Sequence, residues 1–468
     1  MNRRFIFITL SSKVKTSLLL PLYFTLSACV SYQAEPLPER YIPIDMVTLV
    51  ENANHFPALM PNTISLQKGL SLEDVANLAL FNSPILKVTR EQYNVTQANA
   101  YNLALLPDPQ VSTNFDHPTG NTVGAVNAWS VGIGYDLNSL ITHQSLLDAG
   151  DNQNKQAKLQ LLWQAWQITL QAKLLSIDLY YTREKIDLMR AMIAAFETRY
   201  QQSKIGILEG NVTLETNGAD LTVLLDAYSQ LSTLMQELNQ YSHQLQQLLG
   251  INDASSLPFT ELIMPSELSD KEISSALLNI DKVRPDLLAL QAGYNAQEAG
   301  VRAAVLAQFP TFNLGITTAK DTGALRTSGF NIGITLPLFN GNKGNILIAK
   351  TTRKQLAEEY HLRLHQTRVD VSELAQLNSI ISQQQARFAQ YLPTLKSLVM
   401  NAQQAYTYGD LAPLAFINVE STWFTKRLEL LDLKRNKWRT QLSLTLLLMQ
   451  SNSTPIEQAS ENKLIYPN

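Results

Sequence analysis

The chain has 468 residues, only 16% of them charged, with a formal net charge of −3. That balance gives no electrostatic footprint for nucleic acid. Beyond the N-terminal segment no stretch reaches the ~20 apolar residues of a membrane-spanning helix, so any span in the mature chain is expected to be β.

The first segment reads as a secretory signal peptide. Arg3, Arg4, Lys13 and Lys15 form a basic region, and Ser17 to Ala28 is apolar but too short for a stop-transfer helix. Leu26, Ser27 and Ala28 precede Cys29, the single cysteine, which excludes an intramolecular disulfide. Leu26-Ser27-Ala28-Cys29 resembles the bacterial lipobox, whose cysteine is acylated and becomes the mature N-terminus. Two or three acyl chains anchor stably where one does not. Val30 follows, where an aspartate would point to inner-membrane retention; by the same resemblance the outer membrane is favoured. The expected division is a signal peptide at 1–28 and an extended tether at 29–66. Pro36, Pro38, Pro43, Pro57 and Pro61 interrupt that tether, and it shows no sustained periodicity.

A first repeat is expected over 67–260. Ser71-Leu-Glu-Asp74 is a capping box, and the helical pattern after it ends at Pro107 and Pro109. A β-hairpin follows at 109–138. In its second strand Trp129, Val131, Ile133, Tyr135 and Leu137 alternate with Ser130, Gly132, Gly134 and Asp136. A helical hairpin is then expected over 145–250, with Gly206 and Gly210 at its tip.

The same order returns 201 residues later: Pro84 matches Pro285, Pro109 matches Pro310, Trp129 matches Phe330, and Gly132 matches Gly333. This second repeat is expected over 261–450, with a β-hairpin at 310–339, a helical hairpin at 345–450 and a tail at 451–468. Phe330, Ile332 and Ile334 oppose Asn331 and Gly333. Phe424, Leu428, Leu431, Arg435, Trp438, Leu442, Thr445 and Met449 keep a four-three step that implies coiled-coil packing. Gly409-Asp410-Leu411-Ala412-Pro413 marks the second tip, and the offset puts its partner at 208. A duplication that keeps register through loops and strands implies two copies of one structural unit.

Two hairpins give four strands, which are too few to close a transmembrane barrel, and open edges are not tolerated in lipid. The chain either oligomerises, as a dimer, trimer or larger ring, or keeps its strands out of the membrane. The duplicated unit resembles the TolC-type outer-membrane efflux proteins, in their lipoprotein branch. The resemblance is carried by Asn82-Ser83-Pro84 and Arg284-Pro285-Asp286, by the helix ends Ala104 to Pro109 and Ala307 to Pro310, by Leu336 to Gly341, and by Tyr406-x-x-Gly409. It spans about residues 70–450. It implies a homotrimer with a twelve-stranded β-barrel that continues into a long α-helical coiled-coil tunnel. It further implies a passive export duct that works with a periplasmic adaptor and an inner-membrane pump, without cofactor or enzymatic activity. Trp129, Val131, Ile133, Phe330, Ile332 and Ile334 are then expected to face lipid. The contrasting reading is a periplasmic structural coiled-coil lipoprotein without a pore.

Other motifs are weak. His361 and His365 stand four apart but lack an HExxH frame and a third ligand. Gly132-Ile-Gly134 lacks a third glycine. Gly341-Asn-Lys-Gly344 lacks Walker spacing. In the resembling family acids beyond the tip glycine charge the entrance; the matching positions here are Ala415 and Asn418, with Asp410 and Glu420 as nearby substitutes. In the first half the candidate acids near the tip, unranked, are Glu209, Glu215, Asp220 and Asp226. The pore entrance is thus expected around Gly206, Gly210, Gly409, Asp410, Pro413, Ala415 and Asn418.

Overall fold

The computed structural model describes residues 32–37, 42–56, 63–119, 123–255, 257–262 and 267–449. The lipobox and the tail at 451–468 lie outside them. The chain divides into Met1–Pro43 and Ile44–Asn468. The first unit has neither helix nor strand among its described residues.

The second unit opens with a feature the tether reading missed. Helix α1 (Met46–Asn54) is capped by Asp45, which accepts from the Thr48 N–H, and it buries Met46, Leu49, Val50 and Ala53. That spacing is a helical stripe, masked in the sequence by the prolines on either side. Its core neighbours include Leu70, Leu78 and Leu249, so the segment is part of the body rather than only a strap.

Helix α2 (Leu72–Asn82) starts with the expected capping box, both halves formed between Ser71 and Asp74. Pro84 then begins α3 (Pro84–Ala104) at a position where its missing N–H costs nothing. Strands β1 (Gln110–Asp116) and β2 (Ala128–Asp136) follow. Helix α4 (Asn138–Leu208) is 71 residues long, roughly 105 Å at 1.5 Å per residue. It turns into α5 (Leu214–Leu249). The second repeat runs through α6 (Asp270–Leu278), α7 (Ile280–Val283) and α8 (Pro285–Leu306) into β3 (Thr311–Lys320) and β4 (Arg326–Thr335). Then come α9 (Lys343–Tyr408) and α10 (Pro413–Leu447).

The strands form one antiparallel sheet in the order β1-β2-β3-β4. The two hairpins therefore join through β2 and β3, with Gly134 opposite Gly315 and Ile133 opposite Ile316. Below the sheet α4 is the central helix. It packs on α2, α3, α5, α8 and α10.

The motifs shared by the repeats are anchors of this packing. Asn82 donates to the Leu249 carbonyl at 2.7 Å and so ties α2 to the end of α5. Arg284 forms a bidentate pair with Asp286 at 2.7 and 3.0 Å, and its guanidinium lies 4.7 Å from the Trp163 ring on α4. All the polar groups of that staple are nearly buried, so its geometry fixes where α8 meets α4.

Candidate functional site

The sheet is two-faced in register. One face carries Val111, Ile133, Ile316 and Phe330 as directly paired neighbours across all four strands. The next row is Tyr135, Leu314 and Ile332, and beyond it Phe312 pairs Ile334. Most of these side chains are exposed, Phe330 by 87%. So continuous an exposed apolar surface marks a contact face. Toward the turns the same face changes character, with Phe115, Trp129, Lys320 and Arg326 in one row. Aromatic rings and long cations at the edge of an apolar band fit a membrane–water boundary.

The opposite face is small and polar. Ser112, Gly132, Thr317 and Gly329 share one row. A Cβ at Gly132 would meet Ser112 Oγ and Thr317 Oγ1 at 3.0 Å, so this row has room only for glycine at its centre. Asn331 pairs Gly315, and Gly333 pairs Asn313. In register, Trp129, Val131, Ile133, Phe330, Ile332 and Ile334 share one face of the sheet, and Ser130, Gly132, Asn331 and Gly333 share the other. Among the described residues, strands β1 and β4 each have one unpaired edge.

At the far end of the long helices the two tips are built alike. Gly210 has φ +72° and Gly409 has φ +81°, the left-handed region that glycine enters without strain. Asn211 N–H donates to the Gly206 carbonyl at 2.8 Å, and Asp410 N–H to the Ala405 carbonyl at 2.9 Å. These are equivalent helix-ending bonds. The partner of Gly409 is thus Gly210, not position 208, so the repeat offset is 199 at the tips. Gly206 serves a different need. It is buried, and a Cβ there would lie 2.5 Å from Val212 Cγ2. Thr213 caps α5 by accepting from the Thr216 N–H, whereas Pro413 starts α10. Tyr406 stacks on Phe416, centroids 5.0 Å apart and planes 9° from parallel, which closes the second turn.

The charges near the tips differ from expectation. Asp410 and Asn418 are exposed, Ala415 is half-buried, and Glu209, Glu215 and Asp226 are exposed. Asp220 and Glu420 are not free wall charges. Arg199 of α4 donates through Nε to Asp220 at 2.5 Å and through Nη1 to Glu420 of α10. The same guanidinium lies over Phe196, whose ring meets Phe424 edge-on. Burial pushes the Glu420 carboxyl above the usual range against the pull of Arg199, and Asp220 adds to the rise. Sequence reasoning missed this cluster because its members lie on three helices, with no local spacing that links them.

Two further ion pairs join α4 to α10 higher up. Lys185 meets Asp432 at 2.9 Å, and Asp178 meets Arg439. Asp178, Lys185 and Arg199 fall on heptad positions of α4, so they share one stripe. The expected stripe of α10 lies on the same seam. Trp438 and Leu442 are buried against Trp166, Ile177 and Tyr181, and Trp166 Nε1 donates to the Leu446 carbonyl at 3.1 Å. His361 and His365 are exposed on α9. Among the described residues no group of three His, Cys, Asp or Glu is placed to hold a metal ion.

Residues 274–449 match the family model described as outer membrane efflux protein. The matched stretch lies within the second repeat. The chain is also similar to the cation efflux system protein CusC of Escherichia coli K12, 27% identical over 260 residues. It is 26% identical over 263 residues to the probable outer membrane lipoprotein SilC of Salmonella typhimurium. Each match covers 52% of this chain and 56% of the relative, so the chain spans just over half the length of these proteins. Among solved structures, the CmeC outer membrane channel of Campylobacter jejuni superposes with a TM-score of 0.70 at 15% identity, covering 92% of this chain and 98% of that one. The fold is similar to that of this solved structure, and the likeness extends through the first repeat.

Proposed function

We propose that the protein is the exit duct of a tripartite export system, a passive conduit across the outer membrane and periplasm. The observation that carries this reading is the sheet: an exposed apolar face, a small polar face and two open edges above helices roughly 100 Å long. In lipid those edges need partners. Three copies joined β4 to β1 give the twelve strands that the family resemblance implies. Trp129, Val131, Ile133, Phe330, Ile332 and Ile334 then face lipid, and Ser130, Gly132, Asn331 and Gly333 face water in the lumen.

The helices offer matching seams for the same assembly. Leu214, Leu221, Tyr228 and Met235 repeat every seventh residue of α5 and are all exposed. Exposed Met400, Leu398 and Tyr391 lie at similar depths from the tip on α9. Such stripes pack as coiled coil against a neighbour. Cys29 anchors the chain in the outer membrane, with the helices in the periplasm. The tips around Gly206, Gly210, Gly409, Asp410, Pro413, Ala415 and Asn418 meet the adaptor and, through it, the inner-membrane pump. No catalytic step is part of this reading; cargo is selected by the pump.

The test is reconstitution of purified protein in planar bilayers, with gel migration before and after heating. Discrete conductance and a heat-sensitive trimer are expected. Extraction from membranes without detergent, together with absence of conductance, would favour a structural coiled-coil lipoprotein instead.

A further inference from the structure

A cavity of about 890 Å³ opens between α4, α9, α10 and the segment at 257–262. It lies at an irregularity of α9. Pro393 sits inside that helix, where proline lacks an N–H and crowds the carbonyl four residues back. That residue is Ala389, and both line the opening. The walls are dominated by aromatic rings: Tyr180 and Tyr181 of α4, Phe388 of α9, and Trp423 and Trp438 of α10. Trp438 and Tyr181 belong to the buried seam between the hairpins, so this surface is fixed by the core behind it.

The charged groups around the cavity are divided. Glu184 and Glu261 act on the Tyr180 hydroxyl and help raise its pKa, after burial, while no cation contributes there. Lys437 is already held by Glu267. Lys396 and Lys434 also line the cavity, and among the described residues neither has a carboxylate within ion-pair distance. Two unmatched ammonium groups beside an aromatic wall are suited to a ligand with an apolar body and an acidic head.

We infer that this cavity binds an amphiphilic anion, one ring system or single acyl chain bearing one acidic group, with the head at Lys396 and Lys434. The volume lies within the range that encloses one drug-sized molecule. The site stands apart from the sheet and the tips.

The full-length protein, exchanged from detergent into amphipol, is titrated with 1-anilinonaphthalene-8-sulfonate and with its uncharged counterpart N-phenyl-1-naphthylamine. Energy transfer from the tryptophans, of which Trp423 and Trp438 line the cavity, reports binding. One saturable sulfonate site per protomer is expected, with weaker binding of the neutral probe. Lys396→Glu with Lys434→Glu, both exposed positions, should weaken the sulfonate by roughly tenfold or more. Glu184→Gln should leave it unweakened. Leu392→Trp should crowd the aromatic wall and weaken binding of both probes. Oleate and a lysophosphatidylglycerol are then used as competitors. Displacement by the first assigns a free organic acid, and by the second a lipid headgroup. Equal binding of the two probes, indifference to the lysine reversals, or displacement by neither competitor would overturn the proposal.

Discussion

Arg199 and Glu420 stand 221 positions apart and form an ion pair that joins the first helical hairpin to the second. Asp220 holds the same guanidinium from within the first hairpin, so Arg199 belongs to α4, α5 and α10 at once. Asp220 is 1% exposed and Arg199 7% exposed at their side chains, which makes the pair costly to break on one side only.

Arg199→Met should therefore destabilise the helical body by roughly 3–5 kcal/mol, the penalty for an uncompensated buried carboxylate. The double variant Arg199→Met with Asp220→Leu should recover much of that loss. Urea unfolding followed by circular dichroism measures both. If the single variant unfolds at the wild-type midpoint, the buried triad is not a structural joint.

The pH dependence of this joint has a defined sign. Burial raises the Glu420 carboxyl, opposed by Arg199 and reinforced by Asp220. A carboxyl that binds its proton more readily when packed favours the packed state as pH falls toward its ordinary range. Asp178, raised by burial against Arg439 and Arg435, acts in the same direction. Wild-type stability should thus gain on that of Glu420→Gln as pH is lowered from neutral toward the ordinary carboxylate range. Thermal melts of the two proteins at each pH give the comparison. A wild type that instead loses ground on acidification would mean the charged pair is net stabilising.

Much of the fold was legible because its elements obey local rules. The alternation at Trp129 to Leu137 fixes the faces of β2, and the glycines at 206, 210 and 409 mark both tips. Helix α1 was hidden because its four buried residues span only two turns between prolines. The Arg199 cluster was hidden for another reason. Long-range ion pairs have no sequence period, and Glu420 reads as surface charge until α4 and α10 are placed side by side. The β2–β3 pairing that fuses the two repeats is likewise a tertiary fact, since Gly134 and its partner Gly315 stand 181 positions apart.

The two faces of the sheet should respond differently to charge. Ile332→Arg should cost roughly 2–4 kcal/mol if it lies near the bilayer midplane. Asn331→Arg, one residue away on the polar face, should assemble and alter single-channel conductance. Assembly is scored by the heat-sensitive oligomer on gels. Equal tolerance at the two positions would remove this sheet from the membrane.

Cys29 should be the lipidated mature N-terminus. Intact-mass measurement of protein purified from membranes is expected to show loss of residues 1–28 and the added mass of acyl chains. Cys29→Ser should abolish that mass while oligomers still form, because the proposed barrel would anchor the chain through its apolar sheet face independently of the lipid. An unlipidated wild-type chain that begins elsewhere would refute the lipobox reading.

The tip makes the last prediction. Gly409 holds φ +81° with no atom near the position a Cβ would take, so its need is conformational rather than steric. Valine there should cost about 1–3 kcal/mol, confined to the turn, and reduce export while the oligomer persists. The adjoining charges set the ionic response. Ala415 and Asn418 replace the acids expected from the family resemblance, and Glu420 is committed to Arg199. Asp410 remains as the exposed carboxylate of the second turn. Divalent cations added from the periplasmic side should accordingly block conductance weakly, and Asp410→Asn should abolish whatever block occurs. Strong block at millimolar concentration that survives Asp410→Asn would transfer the entrance charge to the first tip, where Glu209 and Glu215 are exposed.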